Sequence, residues 1–265
     1  DLAEKFQENK VFIEFINREG ANIDKNTERK IENCLIIEDF KRCDGGEIKD
    51  IVNVYNFSSI YLSEGKKQIK NIKEIENKKP KIIVVSPSNN ISSLAERFLK
   101  DIGCEVKAVE YSNGLEIEDI KSIVLEENGD LGVLYSENGE RVVLTDGFII
   151  IQDEKYYLLS LLIGLKSQEI GEAVIPYNFP RIMEKLTKKY KGNVVYSKSN
   201  ISDIIQMIMN KDIQHQYVLN FDGIWATGKI MDYLIGNNTR LNKVIGGLAE
   251  YWYFKKEMPG KWNDK

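Results

Sequence analysis

The residues that most often carry chemistry are sparse in this sequence, and their scarcity narrows the choice. The only histidine is His215, in Gln214-His215-Gln216-Tyr217. Ser-His-Asp triads, Cys-His pairs and multi-histidine metal sites each need a histidine in a defined place, and a lone one in this polar setting reads as a surface or strand residue. Cys34, Cys43 and Cys104 are widely spaced and form no C-x-x-C pair. That argues against a disulfide framework or a zinc site and fits a reducing compartment. Ser86-Pro87-Ser88 reads as a strand-end turn, since serine and proline are common turn formers. The lysine-rich stretch from Glu64 to Lys81 could be a basic binding patch. Glu74 and Glu76 dilute its charge, so it reads as a solvated helix or linker. The densest polar feature is the run Ser136-Glu137-Asn138-Gly139-Glu140-Arg141, in which Asn138-Gly139 is a hairpin-turn dipeptide.

The elements that must position these residues follow an α/β pattern. A chain of 265 residues is long enough for one or two domains with their own core. Its balance of 42% hydrophobic and 29% charged residues is that of a globular protein, and a net charge of −4 gives no sign of nucleic-acid binding. The longest apolar run, Tyr156 to Leu165, is broken by Ser160 and Gly164 and is far short of the roughly 20 residues a membrane helix needs. There is no signal peptide, and a cytoplasmic location is expected. The polar ends, from Asp1 and up to Lys265, read as those of a piece of a longer protein.

Val11 to Ile16 reads as a strand, although a lone apolar strand must pair with something. Its partner is expected in a missing segment or another subunit. Asp24 reads as the cap of a helix beginning at Lys25. From Lys81 the chain alternates: strand Lys81–Ser86, helix with Leu94, Ala95, Phe98, Leu99 and Ile102 on one face, strand Glu105–Glu110, helix Ile117–Glu127. Strands Leu131–Tyr135 and Arg141–Thr145 then flank the polar loop. A second unit repeats the pattern: helix Tyr156–Leu165, strand Glu172–Tyr177, helix Arg181–Tyr190, strand Asn193–Ser197, helix Ile201–Met209, strand Tyr217–Phe221, then helices Ala226–Ile235 and Leu241–Leu248. Such alternation predicts layered α/β structure, with a boundary near residues 147–155.

Within this frame LGVLYSENGERVVLTD, Leu131 to Asp146, resembles the metal-loop segment of the α-D-phosphohexomutases, the phosphoglucomutase and phosphomannomutase family. There a strand leads into D-x-D-G-D-R, and a second strand ends in aspartate. FINREGANIDKNTERKIEN resembles the end of that family's first domain. Together with EDFKR, NVVYSKSNISDIIQMI, FDGIWATGKIMDYL and the ending at Gly260-Lys261-Trp262, it looks closer to a subgroup. In that subgroup a mutase-like region is fused behind a nucleotidyltransferase of the mannose-1-phosphate guanylyltransferase type. The resemblance covers most of the chain. It implies two successive phosphohexomutase-like α/β layers, family domains II and III, preceded by the tail of domain I. The implied boundaries are 1–60, 61–150 and 151–265.

The resemblance also shows what has changed. The family's metal-holding aspartates fall by position on Ser136, Asn138 and Glu140, so one carboxylate stands where three would. Magnesium favours carboxylate oxygens in an octahedral shell, and this loop is therefore expected to hold it poorly. No other cofactor is implied. Arg141 keeps the family's arginine and is the candidate substrate-binding residue, gripping a phosphate or carboxylate; the plain alternative is a surface ion pair with Glu140 or Asp146. The phosphoserine loop Ser-His-Asn-Pro, the sugar-gripping G-E-x-S-G loop and the fourth, phosphate-binding domain have no counterpart in this sequence, so no catalytic residue is assigned. Two readings follow. One is a catalytically degenerate mutase-like region of a sugar-nucleotide biosynthesis protein, serving sugar-phosphate binding, assembly or regulation. The other is a working mutase whose remaining parts lie outside these residues. The expected partners are a hexose phosphate and other domains of a longer chain or another subunit, with neither nucleic acid nor membrane.

Overall fold

The computed structural model describes residues 2–7, 10–18, 20–47, 53–112 and 115–248. Its main sheet grows from the apolar run Lys81–Ser86 (β3), which lies between β4 (Glu105–Glu110) and β5 (Leu131–Tyr135) and is parallel to both. Two helices make the crossovers, α4 (Asn89–Asp101) and α5 (Ile117–Glu126). Side chains alternate across a strand, and β3 uses both faces. Ile82 and Val84 join the cluster containing Phe98 and Leu99 of α4, while Ile83 and Val85 join Ile120 and Val124 of α5. A strand covered on both faces has to be apolar throughout, as this one is. β6 (Val142–Thr145) returns antiparallel to β5, and β7 (Ile150–Ile151) adds a short edge, giving the order β4-β3-β5-β6-β7.

The second sheet is a separate parallel pair, β8 (Glu172–Pro176) and β9 (Asn193–Ser197), joined through α7 (Ile182–Lys189). Around it stand α6 (Asp153–Lys166), α8 (Ile201–Asn210), α9 (Gln214–Phe221), α10 (Gly223–Gly236) and α11 (Leu241–Gly246). α6 and α10 are buried almost all round, as helices in the middle of a fold are. The two sheets share one apolar cluster, running from Ile82 and Phe98 through Leu158 and Leu162 to Ile175 and Ile230.

Three expectations are corrected. Tyr217–Phe221 is helical, part of α9, not a strand. Its aromatic and β-branched residues favour a strand, but tertiary context overrides propensity: the fully buried residues are Gln216 and Leu219, three apart, on one helical face. Gln216 does a strand's work from that helix. The Val174 N–H donates to its Oε1 at 2.9 Å, and its Nε2 donates to the Val174 carbonyl at 2.7 Å. One side-chain amide thus satisfies both backbone groups at the edge of β8, as a paired strand residue would.

The stretch Glu64–Lys81 is largely helical with most of its charged residues exposed, but it is not solvated on all sides. It spans the end of α2 (Phe57–Lys67) and all of α3 (Ile72–Lys78), and it buries Ile69 and Ile75. Gly65 lets α2 approach the rest, since a Cβ there would fall 2.8 Å from both Phe98 and Trp225 Cδ1. Ile69, Ile72 and Ile75 recur at near-helical spacing in the sequence, and two of them, Ile69 and Ile75, turn inward. Finally, the strand predicted at Val11–Ile16 is β2 (Lys10–Phe15). It pairs antiparallel with β1 (Leu2–Gln7) of the same chain, not with a missing segment or another subunit. α1 (Lys25–Ile36) starts as expected at Asp24, whose Oδ1 accepts from Asn26 N at 2.9 Å and Thr27 N at 3.1 Å. Among the described residues no helix is long and apolar enough to cross a membrane.

A partly buried polar junction ties four segments together. Glu169, beyond α6, meets Lys70 at 2.7 Å, Lys229 of α10 at 3.0 Å and His215 of α9 at 3.4 Å. Burial and the neighbouring Lys229 charge push the His215 pKa down, against the opposing pull of Glu169. Burial alone would raise the Glu169 carboxyl, but the Lys70 hydrogen bond and the Lys229 charge bring it below its ordinary value. Both groups therefore bind protons less readily folded than unfolded, and stability falls on acidification. The His215 contribution is complete above about pH 6.5 and is lost below it; the Glu169 contribution follows below about pH 4.5. Melting curves from pH 8 to 5 should show this first decline, reduced in His215→Gln. An unchanged slope in that variant would contradict the assignment.

Candidate functional site

The polar loop predicted between β5 and β6 is a tight hairpin turn. Ser136 N donates to the Arg141 carbonyl at 2.9 Å, and Gly139 N to the Ser136 carbonyl at 3.0 Å. Gly139 has φ +74°, a left-handed conformation that glycine adopts freely. The loop does not stand alone in solvent: Gly223 N, at the start of α10, donates to the Gly139 carbonyl at 2.9 Å. Gly223 has to be small, because a Cβ would sit 2.6 Å from that oxygen.

This junction forms one wall of a cleft of about 230 Å³. Asn138, Gly139 and Glu140 line it from the hairpin, Ile91 and Leu94 from α4, Phe57, Ser58 and Tyr61 from α2, and Phe221, Asp222 and Ile224 from the α9–α10 corner. Asp222 holds the corner together. Its Oδ1 caps α10 by accepting from Trp225 N at 3.0 Å, and it accepts from the Tyr61 hydroxyl at 2.7 Å. Burial raises the Asp222 carboxyl above its ordinary value, against the opposing effect of the Trp225 and Tyr61 bonds. Burial, followed by the Asp222 charge, pushes the Tyr61 phenol up as well. Beneath the cleft, Tyr135 at the end of β5 donates to Thr227 Oγ1 of α10 at 2.9 Å, fixing the hairpin against α10 from below.

The predicted site residues are thus brought together in part. Asn138 and Glu140 face the cleft, while Ser136 is turned onto its own loop. Its Oγ donates to Asn138 Oδ1 at 2.7 Å and accepts from Arg141 N at 3.0 Å. Asn138 Oδ1 also accepts from Glu140 N at 3.2 Å. The neutral side chains of Ser136 and Asn138 therefore spend their oxygens on the turn itself. That donor set does not fit magnesium, which asks for unengaged anionic oxygens at short range. Among the described residues no group of three or more His, Cys, Asp and Glu side chains is placed to hold a metal ion. Arg141 is exposed at the base of the hairpin and is not among the cleft-lining residues. Asp146, one of its two suggested ion-pair partners, has both oxygens on backbone N–H groups: Oδ1 takes Phe148 and Ile149, and Oδ2 takes Asn242 at the start of α11.

Sequence reading missed Asp222 and Tyr61. The Asp222-Gly223 pair before an apolar helical run was a legible cap signal. Nothing in the sequence placed Tyr61, 161 positions away, against it.

The arrangement of these layers is the phosphohexomutase fold. A crystal structure of a phosphoglucomutase/phosphomannomutase family protein from Burkholderia thailandensis matches it with a TM-score of 0.72, over 93% of this chain and 57% of that one, at 14% identity. In sequence, the chain is similar to the phosphoglucomutase/phosphomannomutase of Thermococcus kodakarensis, with 22% identity over 268 residues, 92% of this chain and 58% of that protein. It is also similar to the phosphoglucosamine mutase of Pseudoalteromonas translucida, with 21% identity over 265 residues, 90% of this chain and 58% of that protein. No family model matches the chain. The chain spans about 58% of the length of these curated relatives.

Proposed function

We propose that this chain is a region of a phosphohexomutase-family protein that binds a hexose phosphate between its hairpin and α10 without isomerising it. The observation that carries the reading is the hydrogen bond between Ser136 Oγ and Asn138 Oδ1, 2.7 Å long, which closes two metal-ligand positions on each other. Phosphoryl transfer relies on positioning and on neutralising developing charge. With one carboxylate, Glu140, at the three matched positions, and no phosphoserine loop in the sequence, this region supplies neither a nucleophile nor a metal to neutralise charge. It retains a cleft with apolar walls and polar groups at its rim, and Arg141 at the hairpin base, whose guanidinium suits a phosphate held by two parallel hydrogen bonds. The sugar ring would enter the cleft with its phosphate directed out toward Arg141. The protein to which the region belongs is of the sugar-nucleotide biosynthesis kind, with a mannose-1-phosphate guanylyltransferase-type domain preceding it. The region would serve there in assembly or in sensing a sugar phosphate.

A coupled assay interconverting glucose 1-phosphate and glucose 6-phosphate, with magnesium and the purified chain, tests this reading. No turnover is expected, while glucose 6-phosphate binding should weaken about tenfold in Arg141→Ala, roughly the loss of one charge-assisted contact. Turnover that disappears in Glu140→Ala would establish a working mutase instead.

A further inference from the structure

One wall of the cleft is anchored along only part of its length. α2 contributes Phe57, Ser58 and Tyr61 to the lining, and the helix divides at Tyr61. From there on it is fixed: the Tyr61 hydroxyl donates to Asp222 at 2.7 Å, the Tyr61 and Trp225 ring centroids lie 4.9 Å apart, and Leu62 and Gly65 are buried. Before it, every residue of the turn Phe57–Ile60 is exposed. Asn56 makes no side-chain cap bond to the helix, and the preceding Val54 and Tyr55 are exposed as well. An uncapped first turn without buried apolar contacts is the part of a helix that opens most readily. Yet this turn carries two large apolar side chains, Phe57 and Ile60, 65% and 53% exposed. Phe57 lines the cleft, so its ring stands at the mouth with most of its surface in water.

We propose that the turn Phe57–Ile60 is a lid for this cleft, hinged at Tyr61, that opens to admit a sugar phosphate and is held shut by it, with the Phe57 ring laid on the C–H face of the sugar. The inference rests on the sugar-phosphate reading above and adds to it how the site opens and closes. An aromatic ring offers a large apolar face that needs no hydrogen bond from the sugar, and stacking removes apolar surface of both from water. The ligand gains this contact only with the turn closed, which is what it needs to shift the equilibrium. The hinge itself stays in place, because the Asp222 oxygen that accepts from Tyr61 also caps α10 through Trp225 N. The first turn of α2 therefore moves while the α9–α10 corner does not, and its closure keeps water from the polar contacts at the hairpin.

Amide hydrogen exchange followed by NMR, with and without glucose 6-phosphate, tests the lid, and calorimetric titration gives the affinities beside it. The Ile60 N–H donates to the Asn56 carbonyl at 3.1 Å and closes the first turn, so its exchange reports opening. Saturating glucose 6-phosphate should slow that exchange about tenfold. Phe57→Ala should bind glucose 6-phosphate about tenfold more weakly and lose the slowing; the ring is exposed, so the variant keeps its fold, which circular dichroism checks. Ser59→Gly separates a lid from a fixed wall. Ser59 does not line the cleft, and glycine there loosens the turn without removing a contact, so binding should weaken about twofold. Binding with Ile60 exchange unchanged, or an affinity unaltered in either variant, would overturn the lid while leaving sugar-phosphate binding in place. Failure of glucose 6-phosphate to bind the unmodified chain would remove the lid together with the reading beneath it.

Discussion

Phe98→Ala should destabilise the chain by about 3–5 kcal/mol, the range for removing a fully buried phenylalanine. The ring is completely buried at the meeting point of three helices. A Cβ on Gly228 of α10 would lie 2.6 Å from its Cε1, and one on Gly65 of α2 would lie 2.8 Å from its Cε2. Two glycines thus frame the ring, and neither has a side chain that could swing into the space left behind. Poor collapse places the cost toward the upper part of the range. Urea unfolding followed by tryptophan fluorescence measures it. Phe98→Leu, which keeps most of the volume, should lose clearly less. A midpoint for Phe98→Ala within error of the unmodified chain would show that α2 and α10 do not close on α4 as described.

Gln216→Ala should cost about 2–4 kcal/mol, because it leaves buried polar groups unpaired at about 1–3 kcal/mol each. The Val174 N–H loses its acceptor, and the Val174 carbonyl and the Tyr157 hydroxyl each lose the amide donor now 2.7 Å away. The Val174 carbonyl keeps the Tyr157 hydroxyl at 2.5 Å, which holds the loss below the sum of three orphaned groups. Gln216→Glu is the informative companion. It preserves an acceptor for Val174 N but sets a second oxygen against the Val174 carbonyl, so it too should be destabilised at neutral pH. Denaturant midpoints decide the matter. If both variants unfold with the unmodified chain, the amide is not a substitute for a missing strand.

Gln216 also marks where the sequence stopped being legible. The first layer could be read almost residue by residue. Its central strand Lys81–Ser86 is an apolar run and its helices carry clear stripes, as with Ala95, Phe98 and Leu99. The second layer could be read up to Met209. There the chain meets a segment whose composition favours a strand while its setting requires a helix, and the deciding contact, Gln216 with Val174, spans 42 positions. The same limit applies at the site. The hairpin turn was evident from Asn138-Gly139. What the loop faces was not, because the opposing wall comes from α2 and the α9–α10 corner, brought there by tertiary packing alone.

The decisive measurement is a calorimetric titration of the purified chain with magnesium at millimolar concentration. Ser136 and Asn138 bring no charge to the loop and are hydrogen-bonded to each other, so little remains to offset dehydration of a small hard cation. No binding isotherm is expected from the unmodified chain. The triple variant Ser136→Asp, Asn138→Asp, Glu140→Asp, which restores three carboxylates, should produce one. A magnesium isotherm from the unmodified chain that disappears in Glu140→Ala would contradict the degenerate loop and favour a working metal site.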